Sequence, residues 1–357
     1  MAPPLRVAVD ARTLQGRPLG GVARSTLGHL RQVRDDVALT LLTDAREPPI
    51  EADLVWRLPQ VALRAPSRRG VAWLQIAAAR HLRDFDGIFH CPFYGLPFLQ
   101  PVPMVATIHD ITFEQHPEWF TREQRAVFRV QARHAARTAR HLLTPSAFTR
   151  DEVCDRYGLP PDRVSVARNL LDPAYSDPLP DRPAWLAERG LVGRFVVAVG
   201  GARRRGVDVL AEAWRAVQEA APDVGLLVVG DPGVPVPAGT VVVSGLSDEA
   251  WRGALAAAEV FCYPTRHEGF GYPALEACAL GTPVVCAPVG ALPEVLGRAA
   301  EWVEPLAADP LGAALVALLA DAGRRAELTT FGRRRATEDH TTEVRDAVRR
   351  AFQIAAG

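Results

Sequence analysis

The chain has 357 residues, 48% of them hydrophobic and 23% charged, with 41 basic side chains balanced by 41 acidic ones. That is a globular composition, which excludes a disordered or fibrous chain and any overall electrostatic pull toward nucleic acid. Every basic residue is Arg and there is no Lys, so a lysine Schiff base, a Gly-Lys-Ser/Thr phosphate loop and a kinase-type lysine are all excluded.

The predicted elements alternate short apolar runs with longer amphipathic stretches, the pattern of parallel α/β units. Strands are read at 5–11, 37–43, 87–92, 104–110, 141–146 and 163–168, with helices over 21–33 and 120–140. The segment LDPAYSDPLPDRPAWL (171–186) is too proline-rich for a helix or central strand and reads as a linker. The alternation then restarts, with strands at 194–201, 225–231, 240–245, 260–264 and 283–288 and helices over 206–220, 248–258 and from about 273. The C-terminal part reads as helical over 310–322 and 323–355, with a break near 339. The predicted fold class is therefore α/β, two doubly wound parallel-sheet domains. Their bounds are 1–172 and 194–339, joined by a linker over 173–193.

Cys91, Cys154, Cys262, Cys278 and Cys286 are odd in number and show no Cys-x-x-Cys spacing, so they read as buried small residues in a reducing compartment. The start, MAPPLRVAVDAR, lacks the apolar centre of a signal peptide, and no apolar run reaches the length of a membrane span. The expectation is a cytoplasmic protein.

In doubly wound domains ligands bind beyond the carboxyl ends of the strands, and the chemistry-bearing residues fall there. RHEGFGYPALEACALGTPVV (266–285) follows the strand at 260–264. It places Glu268 and Glu276 seven residues apart around Gly269, Phe270, Gly271 and Pro273. Pro273 suits a first helical turn, the glycines admit a ligand close to the backbone, and the amides of a helix start attract an anion. AVGGARRRGVDVL (198–210) ends a strand at two glycines and adds Arg203, Arg204 and Arg205 before a helix, the permanent charge that a diphosphate requires. His109-Asp110 ends the strand at 104–110, where an imidazole can meet a sugar hydroxyl and Asp110 can cap the next segment. Gly20-Gly21 precedes a helix and offers amides to a phosphate or an acceptor.

Arg122, Arg125, Arg129, Arg133, Arg137 and Arg140 recur at steps of three or four. They form a basic helix stripe that is either a solvated face or a contact for an anionic partner such as an acidic membrane surface. Asp84-Phe85-Asp86 precedes a strand rather than following one, so it reads as a turn and not as a metal site. A dinucleotide-binding Gly-x-Gly-x-x-Gly is missing after the first strand, as are His-Glu-x-x-His and Gly-x-Ser-x-Gly, which disfavours oxidoreductase, zinc-peptidase and serine-hydrolase chemistry.

The 266–285 stretch resembles the Glu-seven-Glu motif of the GT-B-fold retaining glycosyltransferases of family 4, in the manner of bacterial mannosyltransferases. The resemblance continues through DARTLQGRPLGGVARSTLGHL (10–30), FHCPFYGLP (89–97), TIHDITFEQHPEWF (107–120), 142–169 and 245–277, and so spans nearly the whole chain in order. It implies two Rossmann-like domains facing a central cleft. The N-terminal one would bind the acceptor, the C-terminal one the sugar nucleotide, and the last helix (340–357) would pack back on the N-terminal domain.

The activity implied is retaining transfer of a hexose from a nucleotide-diphosphate sugar, GDP-mannose ahead of UDP-sugars, to a saccharide, lipid-linked or natural-product acceptor. The departing phosphate would take the acceptor's proton on the face it leaves. The resemblance assigns catalytic roles to His109 beside the sugar's 6-position, Glu268 at its 3- or 4-hydroxyl and Arg205 at the diphosphate. It assigns donor contacts to Gly20, Gly21, Arg203, Arg204, Leu246, Gly269, Phe270, Gly271 and Glu276, the last at the ribose. It implies no metal and no cofactor. The arginine loop is shorter than the family's, which usually carries Arg and Lys there, and ARNLLDP stands where Asn-Gly is common. These departures keep open a non-catalytic sugar-nucleotide-binding homologue, and another GT-B enzyme such as a sugar-nucleotide epimerase also fits.

Overall fold

The computed structural model describes residues 3–15, 20–45, 58–65, 70–176, 181–201 and 203–357. The chain divides into two compact units, Met1–Leu170 with Asp339–Gly357, and Leu171–Glu338.

Unit 1 is built on a parallel sheet. Its strands are β1 (Arg6–Asp10), β2 (Ala38–Asp44), β3 (Gln60–Leu63), β4 (Ile88–Cys91), β5 (Met104–Thr107), β6 (His141–Thr144) and β7 (Val164–Val166). Their spatial order is β3-β2-β1-β4-β5-β6-β7, every pairing parallel. β4, β5 and β6 are buried along their whole length, as expected of strands covered by helices on both faces. β3 is half-buried at the sheet edge and follows Pro59; the sequence reading misses it because an edge strand needs no continuous apolar run.

Helix Gly21–Val33 buries Ala23, Leu27, Leu30 and Val33, one stripe at helical spacing. Helix Thr341–Ala356 buries Val344, Val348, Ala351, Phe352 and Ala355 in the same core cluster. Its Arg345 pairs with Asp36 at 2.5 Å, and the Phe352 ring lies 5.4 Å from that of His90. The last helix therefore belongs to unit 1 through a shared core.

Unit 2 repeats the scheme with β8 (Phe195–Val199), β9 (Gly225–Val229), β10 (Val241–Val243), β11 (Val260–Tyr263), β12 (Val284–Cys286) and β13 (Ala300–Trp302). The order is β10-β9-β8-β11-β12-β13, again all parallel. Helices Val207–Ala220 and Ala308–Ala320 pack so closely that the Gly312 position has the Ala213 carbonyl 3.1 Å from where a Cβ would stand. The strand order reverses between β1 and β4 in unit 1 and between β8 and β11 in unit 2. At each such point the loops leave in opposite directions and open a crevice.

The structure corrects one reading. The segment assigned to a linker, 173–193, carries a short 3-10 helix, Pro173–Ser176, and a helix, Ala184–Glu188, and both belong to unit 2. Pro183 is the N-cap at φ −64°, where its missing N–H breaks no helical hydrogen bond, and Leu186 is fully buried. Residues 177–180 of this segment, 16–19 of the 10–30 stretch and residue 202 of the arginine loop lie outside the described residues. The C-terminal part is helical in three pieces, Ala308–Ala320, Ala322–Ala336 and Thr341–Ala356, with the break near 339 where the sequence places it; Asp321 caps the second by accepting the Arg324 N–H at 2.8 Å.

The five cysteines are free and buried. No helix among the described residues is long and apolar enough to cross a membrane. Asp84 ends a 3-10 turn, Leu82–Asp84, and no group of three or more His, Cys, Asp or Glu among the described residues is placed to hold a metal.

Buried imidazoles make the stability of unit 1 sensitive to acid. Burial pushes His29 down to about 4 and His90 down to about 3. Both are neutral in the folded unit, whereas in the unfolded chain they take up a proton near pH 6.5. Between that pH and about 4 the unfolded chain binds more protons, so stability falls as pH falls, by at most about 1.4 kcal/mol per pH unit for each histidine. Urea midpoints should therefore drop from pH 7 to pH 5, and His90→Gln should flatten that dependence. Equal slopes for the two proteins would show that His90 does not contribute.

Candidate active site

The crevice of unit 2 lies between the loops that follow β8 and β11. The first loop forms a 3-10 turn, Arg203–Arg205, and Gly206 then starts helix Val207–Ala220. Gly206 has φ +68°, and a Cβ there would stand 1.8 Å from the Pro264 carbonyl oxygen. Only glycine lets the two loops touch at this point. The Arg266 N–H donates to the Arg204 carbonyl at 2.7 Å, and its side chain donates to the Arg203 carbonyl at 2.8 Å. The same guanidinium grips Asp208 bidentately at 2.9 and 2.6 Å, holding that carboxyl below its usual range. The arginine loop is thus fixed by backbone and ion-pair contacts, not left as a solvated turn.

The two carboxylates of the 266–285 motif are both buried, Glu268 6% exposed and Glu276 1%. Arg205 Nη1 donates to Glu268 Oε1 at 2.5 Å, and the Tyr263 hydroxyl donates to the same oxygen at 2.6 Å. The Arg205 guanidinium also sits 5.2 Å from the Tyr263 ring centre. Ala291 N–H donates to the Glu268 carbonyl at 2.9 Å, which ties the loop to the segment after β12. Glu276 lies in helix Tyr272–Leu280, and its Oε2 accepts the indole N–H of Trp251 at 2.8 Å. Trp251 belongs to helix Asp248–Ala257, whose N-cap Ser247 accepts the Ala250 N–H. Leu246, half-buried, immediately precedes that cap.

The structure brings Arg204, Arg205, Glu268, Gly269, Phe270 and Gly271 to one end of the unit 2 sheet, with Arg203 exposed at the rim of the turn. It changes the reading of the helix start. Pro273 has no N–H, and the amides of Ala274 and Leu275 are bonded to the Gly271 carbonyl at 3.1 and 3.2 Å. The amide donors open to an anion shift back from the helix into the loop at Phe270 and Gly271. Gly271 also has an internal reason to be glycine: φ is +97°, and a Cβ would meet the Leu292 side chain at 2.4 Å.

In unit 1, His109 follows β5 and is half-buried, its Nε2 2.9 Å from the Pro92 carbonyl. Burial lowers its pKa, so the ring is neutral at pH 7. Donating Nε2–H to that carbonyl leaves Nδ1 as the acceptor. Asp110 caps the next turn, accepting the Thr112 N–H at 3.0 Å. Gly20 is the N-cap of helix Gly21–Val33 at an ordinary φ of −72°, with nothing within 4 Å of a Cβ placed there.

The arginine stripe is partly spent inside unit 1. The Glu114 side chain is 1% exposed and accepts Arg129 and Arg156 at 2.7 Å, with Arg133 at 3.5 Å. Arg125 is half-buried, while Arg122, Arg137 and Arg140 are exposed. The stripe is thus divided between arginines paired with Glu114 and arginines exposed to solvent.

Sequence reasoning misses Tyr263, Trp251 and the Asp208–Arg266 pair. Tyr263 ends its strand, which is a usable signal. Trp251 lies 25 residues from its carboxylate and no local spacing reveals it. Trp251→Phe keeps the ring packed on Phe261, 6.2 Å away, but removes the N–H from a buried carboxylate. It should cost about 1–3 kcal/mol in urea unfolding, and an unchanged midpoint would remove Trp251 from that role. Gly206→Ala should destabilise unit 2 by at least about 1–3 kcal/mol through strain at positive φ, measured in the same way.

The chain is similar to known proteins over most of its length. Residues 192–321 match the family model described as glycosyl transferases group 1, and residues 19–175 match that of glycosyltransferase family 4. The MMP alpha-(1->4)-mannosyltransferase of Mycolicibacterium hassiacum is 31% identical over 284 residues, covering 71% of this chain and 67% of that one. The GDP-mannose-dependent alpha-(1-6)-phosphatidylinositol monomannoside mannosyltransferase of Mycolicibacterium smegmatis is 28% identical over 293 residues, covering 74% and 75%. Among solved structures, WaaG, a glycosyltransferase involved in lipopolysaccharide biosynthesis, superposes with a TM-score of 0.75 at 18% identity over 99% of this chain and 100% of that one. With its two all-parallel sheets and its loop-held Glu-seven-Glu motif, the chain belongs to the family 4, group 1 glycosyltransferases of GT-B fold.

Proposed function

We propose that the chain transfers mannose from GDP-mannose, with retention at the anomeric carbon, to a saccharide, lipid-linked or natural-product acceptor. The observation that carries this reading is the Arg205–Glu268–Tyr263 constellation at the reversal point of the unit 2 sheet. It sets a permanent cation beside a buried carboxylate at the point where doubly wound sheets bind ligands. The mannosyl donors and transfers named for the two curated relatives favour mannose and GDP.

Unit 2 binds the donor in this reading. As the bond from the anomeric carbon to the phosphate oxygen breaks, the electron pair moves onto the diphosphate. Arg204, Arg205 and the loop amides at Phe270 and Gly271 stabilise that charge, with Arg203 at the edge. The acceptor oxygen bonds to the anomeric carbon, and its proton passes to the departing phosphate oxygen. Glu268 holds a sugar 3- or 4-hydroxyl, steadied by Arg205 and Tyr263. Glu276 holds the ribose hydroxyls and is oriented by Trp251. Leu246 offers backbone to the base, and Gly269 leaves room for the sugar.

Unit 1 binds the acceptor. Neutral His109 accepts a hydrogen bond from the donor sugar's 6-hydroxyl through Nδ1, and Gly20 and Gly21 present amides at a helix start. The glycine at Gly20 is not required by its own backbone angle or by any described neighbour, which supports a close approach by substrate. The scheme needs no metal, since arginines and amides supply the positive potential.

Thermal unfolding with GDP-, UDP-, ADP- and dTDP-sugars and their free diphosphates tests this. A ligand that binds only the folded state raises the melting temperature according to its affinity. GDP and GDP-mannose should give the largest rise, and a larger rise with UDP would move the donor to a UDP-sugar. No rise with any nucleotide would overturn the donor site. Glu276→Ala, shown folded by circular dichroism, should weaken donor binding by about 1–3 kcal/mol; unchanged affinity would remove Glu276 from the ribose.

A further inference from the structure

Most of the large apolar side chains exposed among the described residues cluster on one face of unit 1. Ile76 is 51% exposed, Phe98 55%, Leu99 70%, Val127 42% and Val130 53%. They sit on three segments that are strapped together. The Gln75 side chain donates to the Leu96 carbonyl at 3.1 Å and accepts the Phe98 N–H at 2.8 Å. On the other side, His134 Nε2 lies 2.9 Å from the Pro97 carbonyl and its ring 4.8 Å from that of Phe98. Gln100 donates to the Thr138 hydroxyl at 2.6 Å. The loop at 96–100 is therefore held between the helical stretch 70–84 and helix Arg122–Thr138, with Phe98 and Leu99 turned outward.

The same face is basic. At 100° per residue, Val127, Val130, Arg133 and Arg137 share one side of helix Arg122–Thr138. Arg133 keeps 47% of its side chain exposed despite Glu114, and Arg137 and Arg140 are exposed. Glu123 is the one acidic residue on that helix, against five arginines. Exposed aromatic and aliphatic side chains beside arginines match the boundary between headgroups and acyl chains.

We propose that this face seats the chain on an anionic phospholipid bilayer, with Phe98 and Leu99 entering the headgroup–acyl boundary and Arg133, Arg137 and Arg140 meeting lipid phosphates. The inference is independent of the identity of the donor.

The test is sedimentation of the full chain with phosphatidylcholine vesicles, with and without about one-third phosphatidylglycerol, at low and high salt. The chain should bind the anionic vesicles, and salt should weaken that binding. The double variant Phe98→Ser/Leu99→Ser and the double variant Arg137→Glu/Arg140→Glu should each reduce the partition about tenfold or more. All substituted positions are exposed, so melting temperatures and nucleotide-induced shifts should be unchanged; if the serine variant does not fold, the glutamate variant decides. Absence of binding to anionic vesicles at low salt, equal binding to neutral ones, or full binding by both variants would overturn the proposal. A dimer in light scattering that the serine variant abolishes would also overturn it, by giving the face to a second copy.

Discussion

Two buried carboxylates set the terms for unit 2. Glu268 and Glu276 lie seven residues apart and both are removed from water, at a cost that is tolerable only where partners meet the charge. Arg205 and the Tyr263 hydroxyl meet it at Glu268, and the Trp251 indole meets it at Glu276. Each partner comes from a different element: the loop after β8, the end of β11, and helix Asp248–Ala257. Satisfying the carboxylates therefore fixes the positions of three elements around one crevice. The contact at Gly206 and the Asp208–Arg266 pair then lock the two loops against each other. In the function proposed above, a site arranged in this way needs little reorganisation when charge develops on a leaving diphosphate.

Unit 1 handles polar burial differently. Its internal histidines stay neutral: His29 shares the Ala167 and Arg168 carbonyls, His90 meets Thr107, and His109 meets Pro92. Its buried carboxylate, Glu114, draws on three arginines from two helices. That arrangement divides helix Arg122–Thr138 by function. Arg129 and, in part, Arg133 hold the fold, whereas Arg137 and the valines beside Arg133 face outward. The division separates a structural role from a surface role within a single run of arginines.

The periodic features of the sequence reached the structure with little change. Strands buried on both faces are continuous apolar runs, and helices Gly21–Val33 and Val207–Ala220 carry their apolar residues at helical spacing, so both were legible. β3, β13 and helix Ala184–Glu188 were not legible. They are short or lie at an edge, and their residues are held by neighbours rather than by their own pattern. The glutamate pair, the arginine loop and the His-Asp strand end were legible because each follows a strand, where topology directs ligands.

By itself, the sequence determined the family, the two-sheet architecture and the residue types available for chemistry, because these rest on local period and on motifs contiguous in the chain. Tertiary structure alone decided which partner each buried charge receives. Tyr263 meets Glu268 within five residues, but Arg205 reaches it across 63 and Trp251 reaches Glu276 across 25. Such pairings depend on strand order and loop direction, which bring distant segments to one end of a sheet. The same holds for the exposed apolar face, where side chains separated in sequence become one surface only when the loop at 96–100 is strapped between two helices.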